Sequence, residues 1–420
     1  MSALVLLDRL DLLPMTVGRA TYLREEDELC RRSLFDGIDA AQRDAAVAAA
    51  VGSARGNRAI GCIVGMAVGD AVGAPLEFLP ARDDVTAPTP SFDLATLSYR
   101  GASNEFGLAP GQWTDDAAMG LCLADSILVQ RRYDGSDFRA RLWNWWFRGY
   151  NNAFRLDRSR AISVGLGRNV SDALFALKCD EVPTPRHEAD TQDSGNGPLI
   201  RLAAVPITWH RDPAAAAAWG AESSRATHPG PVVREATAFL AWLLARAINV
   251  DDPSPRAEDF LDAAVDGYLR ALSGREDVGA TTLRSLLVGE QPDDGLERNW
   301  RWRAPSLDLD GTLQRRGEHY NGYPVMAEYF GSYCLDGLAL ALHAVYHTRS
   351  FGDAVATCAN HLGDADSTSA IAGQLAGALY GYQSLDERLV AQLRRWDGGE
   401  IALRGALLFA LGERIAGADP

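Results

Sequence analysis

Apolar residues recur at helical spacing along almost the whole chain, and alternating strand-like runs of any length are missing. Within 59–72, Ile60, Ile63, Val64, Ala67 and Val68 fall at i, i+3, i+4 intervals. Within 115–131, Met119, Cys122, Leu123, Ser126 and Ile127 do the same. Further helices are predicted over 231–248, 257–272, 334–347, 351–360, 367–382, 386–395 and 399–415. β-Branched residues are sparse. The pattern predicts an all-α fold of many helices joined by glycine-rich and acidic loops. Gly373, Gly377 and Gly381 are spaced four apart in one of these helices. Each interior glycine costs roughly 1 kcal/mol relative to alanine, so three in register predict close packing against another helix.

Two polar stretches interrupt the helices, 180–197 and 273–323, the second with isolated tryptophans at Trp300 and Trp302. Residues 1–55 stand apart as an N-terminal extension ahead of a domain over 56–420. The extension has a mixed apolar start, dense charge from Arg24 to Arg32 and an alanine-rich amphipathic helix near 39–51. The formal net charge of −15 over 420 residues argues against a nucleic-acid backbone or an anionic membrane as the main partner. Local basic patches leave nucleotide-like ligands open. Cys30, Cys62, Cys122, Cys179, Cys334 and Cys358 include no C-x-x-C pair and read as buried thiols of a reducing compartment. With no basic leader region and no run of 18 uncharged apolar residues, the expected location is cytoplasmic, with no membrane span.

Chemistry concentrates at two helix starts. Thr114-Asp115-Asp116 follows Gly111-Gln112-Trp113 and precedes an apolar helix, with Thr114 placed as its N-cap. Gly363-Asp364-Ala365-Asp366-Ser367 opens a second helix. Acids in a first turn also favour the helix dipole, so either start alone has that simpler account. If the four aspartates converge, each like-charge pair at about 4 Å repels by roughly 4 kcal/mol at an effective dielectric of 20. Bound cations or raised pKa values would then be needed to hold them. Carboxylate and hydroxyl oxygens suit hard ions, Mg²⁺ first, with Mn²⁺ and Ca²⁺ behind it; zinc-type Cys/His spacing is absent. A third stretch, Gly61 to Phe78, is a small-residue helix ending in a glycine and proline turn that presents Glu77.

Taken in order, the chain resembles the ADP-ribosylglycohydrolase family. The resemblance lies in G-D-A-x-G-x-P-x-E at 69–77, W-T-D-D at 113–116, G-N-G-x-x-x-R at 195–201, A-T-H-P at 226–229 and G-D-A-D-S at 363–367. It implies an all-α domain with two magnesium ions in a cleft. Thr114, Asp115, Asp116, Asp364, Asp366 and Ser367 would be the metal ligands, with serine where the family more often has threonine. Glu77 resembles the glutamate beside the scissile bond and is the candidate catalytic residue. Asp193, Ser194, Gly195, Asn196 and Gly197 correspond to a loop holding the diphosphate and distal ribose, and His228 to a cleft histidine. Ser163 to Asn169 also looks like a family element near the cleft. The family's doubled glycine before Asp-Ala-Asp is here Leu362-Gly363.

The function so implied is removal of ADP-ribose from a modified protein side chain, arginine favoured. The alternative is an immunity protein that occludes an ADP-ribosyltransferase toxin through residues 1–55, with Leu34 and Phe35 as apolar anchors. For those residues, packing on the core or a dimer contact is the plainer account.

Overall fold

The computed structural model describes residues 3–10, 13, 15–18, 32–157, 160, 162–190, 194–289, 300–316, 319–320, 323–324 and 329–418. Helices α1 (Ala3–Leu7), α2 (Ala40–Val51), α3 (Ala54–Gly73), α4 (Asp115–Gln130), α5 (Gly135–Arg148) and α6 (Arg168–Phe175) come first. Then follow α7 (Gly197–Ile200), α8 (Ala204–Thr208), α9 (Pro213–Ser224), α10 (Pro231–Ile248), α11 (Ala257–Ala271) and α12 (Val278–Val288). The last six are α13 (Leu309–Arg316), α14 (Cys334–His347), α15 (Phe351–His361), α16 (Ala365–Tyr380), α17 (Glu387–Asp397) and α18 (Glu400–Ala418). Among the described residues, strands are confined to two short antiparallel ladders. One joins β1 (Ser91–Asp93) to β2 (Ser98–Arg100), with Phe92 opposite Tyr99; the other joins β3 (His319–Tyr320) to β4 (Tyr323–Pro324). The all-α expectation holds.

At the centre, α3 and α16 run antiparallel with their backbones in contact. A Cβ placed on Gly61 would stand 2.2 Å from the carbonyl oxygen of Gly377, and one on Gly65 would stand 2.2 Å from that of Gly373. Gly69 meets the Ser369 carbonyl at 2.1 Å and Gly73 the Ala365 carbonyl at 2.3 Å. The predicted close packing is therefore present at Gly373 and Gly377. Gly381 also packs on α3, where its Cβ would stand 2.3 Å from Asn57 Nδ2, and as the C-cap of α16 it has φ +88°, a backbone that glycine adopts without a Cβ penalty. Antiparallel packing in this register brings the C-terminal end of α3, with Asp70 and Glu77, against the N-terminal end of α16, with Asp364 and Asp366.

Other helices wrap this pair. α14 and α15 lie against α16, while α18 packs on α3, α2 and α8. The stretch Ala54–Leu76 is long and apolar enough to cross a membrane, but its most apolar 18 residues are wholly buried inside the protein. A helix that is apolar all round is what a central core position requires.

Two expectations need correction. The polar stretch 273–323 carries two helices among its described residues, α12 and α13. Asp277 caps α12 by accepting from Ala280 N, and Trp300 and Trp302 are buried. Leu34 and Phe35 are not free anchors. Both are fully buried in the chain's own core, and the Arg404 guanidinium lies 4.7 Å from the centre of the Phe35 ring. Cys62, Cys122, Cys334 and Cys358 are buried free thiols and Cys179 is half-buried; Cys30 lies outside the described residues.

Candidate active site

The two acidic helix starts, 248 positions apart in the chain, meet. Thr114 Oγ1 lies 3.3 Å from Asp366 Oδ2, and carboxylate oxygens of Glu77, Asp364 and Asp366 all lie within 4.8 Å of one another. Neither helix uses these side chains as its cap. Thr114 occupies the N-cap position of α4, but its hydroxyl makes no capping bond. That duty passes to Asp70, one turn from the end of α3. Its carboxylate accepts from Thr114 N at 2.9 Å, Thr114 Oγ1 at 3.0 Å and Ala117 N at 2.9 Å. Asp364, at the N-cap of α16, likewise makes no capping bond and instead accepts from Asn196 Nδ2 at 2.7 Å. Asp364 is thus released from capping its own helix, whereas Asp366 keeps one bond to it, its Oδ1 accepting from Ser367 N at 2.8 Å, and turns Oδ2 toward Thr114. Asp70 was not among the candidate residues read from the sequence; its place in G-D-A-x-G-x-P-x-E was the available signal.

The point of convergence is the wall of a cleft of about 450 Å³. Glu77, Asp115, Asp364, Asp366 and Ser367 line it, as do Ser194, Gly195, Asn196, Gly197 and His228. Thr114 and Asp116 are buried behind that surface, and Asp193 lies outside the described residues. Of the 163–169 segment, Gly165 to Asn169 reach the cleft. Gly165, with φ +87°, leaves room for Asp115, whose Oδ1 would be 2.1 Å from a Cβ there. Phe78, Phe106 and Tyr329 also line the cleft and were not anticipated. Where the family's doubled glycine would fall, Leu362 stands at φ +65°, ψ −149° with its side chain buried. The backbone keeps a conformation that favours glycine, and leucine bears the strain.

Burial and mutual repulsion set the electrostatics. Burial pushes the Asp70 carboxyl up to about 7. Burial and the Asp366 charge bring Asp364 to about 8, while burial and the Asp70 charge bring Asp366 to about 6. Burial, then Asp366, holds Glu77, Asp115 and Asp116 well above the usual carboxylate range. Glu77 Oε2 and Asp116 Oδ2 are buried with no hydrogen-bond partner. A set of hard oxygens short of donors and crowded by like charge fits a hard cation.

Opposite chemistry surrounds His228. Burial, then the charges of Arg201 and His187, lowers its pKa far below the ordinary value, so the ring is neutral. Arg201 Nη2 donates to Thr227 Oγ1 at 2.6 Å, and that hydroxyl lies 2.7 Å from His228 Nδ1. The glycine loop packs flat on the imidazole: a Cβ on Gly197 would stand 2.8 Å from Cε1, and one on Gly195 3.2 Å from Nε2.

The ADP-ribosylglycohydrolase family model matches residues 52–418, nearly the whole of this helical body and every residue of the cleft. The chain belongs to the ADP-ribosylglycohydrolase family. It is a glycosidic hydrolase acting on ADP-ribosyl groups. Among similar proteins, the ADP-ribosylarginine hydrolase Tri1 of Pseudomonas putida (strain GB-1) is 30% identical over 338 residues, covering 80% of this chain and 74% of its own. Tri1 of Serratia proteamaculans (strain 568) is 30% identical over 77% of this chain and 72% of its own. The ADP-ribosyl-[dinitrogen reductase] glycohydrolase of Rhodospirillum rubrum is 24% identical over 71% of this chain and 82% of its own. A solved structure titled ADP-ribosylglycohydrolase-related protein complex superposes with TM-score 0.59 at 27% identity, covering 85% of this chain and 99% of that one.

Proposed function

We propose that this ADP-ribosylglycohydrolase removes ADP-ribose from arginine side chains of modified proteins with the help of two Mg²⁺ ions. The observation that carries the reading is the meeting of Glu77, Asp364 and Asp366, from the ends of two helices packed through their glycines. The 30% identity to two ADP-ribosylarginine hydrolases supports arginine as the acceptor.

Thr114, Asp115, Asp116, Asp364, Asp366 and Ser367 would hold the ions, which when bound supply Lewis-acid polarisation of ribose and water oxygens. The Ser194–Gly197 loop and His228 bind the ADP-ribosyl part. Asn196 fixes Asp364, and the neutral imidazole offers a hydrogen bond without adding charge. Glu77 stands at the scissile bond. Water adds at the anomeric carbon and gives its proton to Glu77 Oε2, the C–N bond breaks with its electron pair going to the guanidine nitrogen, and Glu77 then returns that proton to the nitrogen. The products are ADP-ribose and unmodified arginine. The oxocarbenium-like transition state is favoured by the surrounding carboxylates.

A hydrolysis panel of arginine-linked and serine-linked ADP-ribose, with and without a chelator, tests this reading. Cleavage of the arginine linkage that is lost on chelation and restored by Mg²⁺ is expected; chelator-resistant turnover would overturn the metal assignment. The family match begins at residue 52, which leaves the extension outside it and keeps the toxin-occluding role as a separate proposal. Binding of an ADP-ribosyltransferase to the full chain, and to one with the Arg24–Arg32 charges reversed, tests that role.

A further inference from the structure

Beyond α3 the chain makes one 3-10 turn, Ala74–Leu76, and Glu77 leaves that turn with extended backbone, φ −60° and ψ 152°. In an extended chain the next side chain would point to the opposite face. Phe78 does not: it sits at φ +66°, in the left-handed region that is a genuine outlier for a bulky residue. Two backbone bonds to one residue hold this turn, Phe78 N donating to Gly363 O at 3.0 Å and Gly363 N donating to Leu79 O at 2.9 Å. The consequence is that Glu77 and Phe78 both line the cleft. Phe78 keeps 41% of its surface exposed, so burial of its ring does not explain the strain.

Two more rings complete a corner. Tyr329 lies nearly parallel to Phe78, 15° between planes and 6.0 Å between centres. Phe106 stands at 71° to Phe78, 5.7 Å away. The Tyr329 hydroxyl donates to Glu77 Oε1 at 3.3 Å, so the aromatic corner and the candidate catalytic carboxylate form one surface. Aromatic faces carry negative potential, and here they adjoin a cluster of acids. A planar, weakly hydrated cation gains from both, whereas a neutral base gains only the stacking.

We infer that Phe78, Phe106 and Tyr329 form the acceptor subsite, where the guanidinium of ADP-ribosylated arginine lies against the rings beside Glu77. The inference rests on the proposed function, which puts Glu77 at the scissile bond and hence the leaving group next to Phe78. Phe78 is then a specificity residue that binds the leaving side chain and not the ADP-ribose.

The test compares the full-length wild type with Phe78→Leu, Phe106→Leu and Phe78→Tyr. It uses steady-state kinetics on arginine-linked ADP-ribose and calorimetric binding of free ADP-ribose. For each leucine variant, kcat/KM should fall about 3- to 30-fold, chiefly through KM, while Kd for free ADP-ribose stays within about 2-fold. Phe78→Tyr should restore the wild-type value. Unchanged kinetics in both leucine variants would overturn the inference. So would an equal loss of ADP-ribose affinity, which would place adenine and not guanidinium on the rings. A wild-type protein that leaves the arginine linkage intact would overturn the functional reading itself, and the acceptor subsite with it.

Discussion

A buried carboxylate oxygen with no donor facing it, such as Glu77 Oε2, is tolerated in a protein interior when it is protonated or lies against a cation. The choice between those states gives a pH signature. With Asp366 raised to about 6, Asp70 to about 7 and Asp364 to about 8, the metal-free protein holds more protons than its unfolded chain between about pH 4 and 8. Unfolding releases those protons, so metal-free stability falls as pH rises through that window. On the proposed function Mg²⁺ would compete with the same protons, and its stabilising effect should then grow with pH. Melting curves from pH 5.5 to 8 with chelator or excess Mg²⁺ check this; a Mg²⁺-induced shift independent of pH would contradict it. Asp366→Asn should raise the metal-free melting temperature at pH 8 and remove turnover, since one repelling charge and one ligand go together. Glu77→Gln keeps the shape but cannot accept a proton, and kcat should fall at least about 10²-fold with ADP-ribose affinity little changed. The ligand types were legible in the sequence because hydroxyl and carboxylate residues cluster at two helix starts. Asp70 was visible only as a member of its motif, and Phe78 not at all. The first acts on a helix 44 positions away, and the second depends on a backbone angle that residue type does not announce.

At the scale of elements, the glycines of α3 and α16 oppose two effects of known sign. Replacing an interior helix glycine by alanine gains roughly 1 kcal/mol of helix propensity. At Gly65 the added carbon would stand 2.2 Å from the Gly373 carbonyl oxygen, so the helices must separate, a change that typically costs 1–3 kcal/mol or more. Gly65→Ala should therefore be destabilising. It should also weaken Mg²⁺ binding, because the same helix pair sets the spacing of Glu77 from Asp364 and Asp366. Gly267→Ala in α11 is the control: its Cβ would meet only the side chains of Trp242, at 3.4 Å, and Arg270, at 3.8 Å, and the variant should be neutral or stabilising by up to about 1 kcal/mol. Denaturant melts of the two variants read both signs, and a Gly65→Ala protein as stable as wild type would refute the packing account. The four-residue spacing made one side of this contact legible from Gly373 and Gly377. Its partner and register were not, since pairing between helices about 300 residues apart leaves no local pattern. Helices α5 and α12 were not read from the sequence either; Asp134 and Asp277 cap their starts.

For the whole molecule, the question is whether the chain before residue 52 is an accessory or part of the core. Leu6, Leu7, Leu34, Phe35, Ile38 and Ala46 are buried, and α2 packs on α3 and α18. Ser33 Oγ donates to Glu400 Oε2 at 2.6 Å, and Arg43 Nη1 pairs with Glu400 Oε1 at 3.0 Å. Arg404, which covers Phe35, is itself held by Asp125 Oδ1 at 2.7 Å. Asp125 belongs to α4, the helix whose first turn carries Asp115 and Asp116. A continuous set of contacts thus runs from the extension through α18 to the helix that opens on the cleft. Each fully buried Leu, Ile or Phe side chain contributes about 1.5–3 kcal/mol, and folded domains have only about 5–15 kcal/mol in total. Deleting residues 1–51 should lower the melting temperature sharply, and activity should fall with it, since α18 loses its cover and Arg404 its aromatic contact. Phe35→Ala should reproduce part of the loss, about 3–5 kcal/mol, without removing any other residue of the extension. A truncated protein that melts with the wild type and turns over the arginine-linked substrate at the same rate would show the extension to be separable, and would free its buried face for a partner.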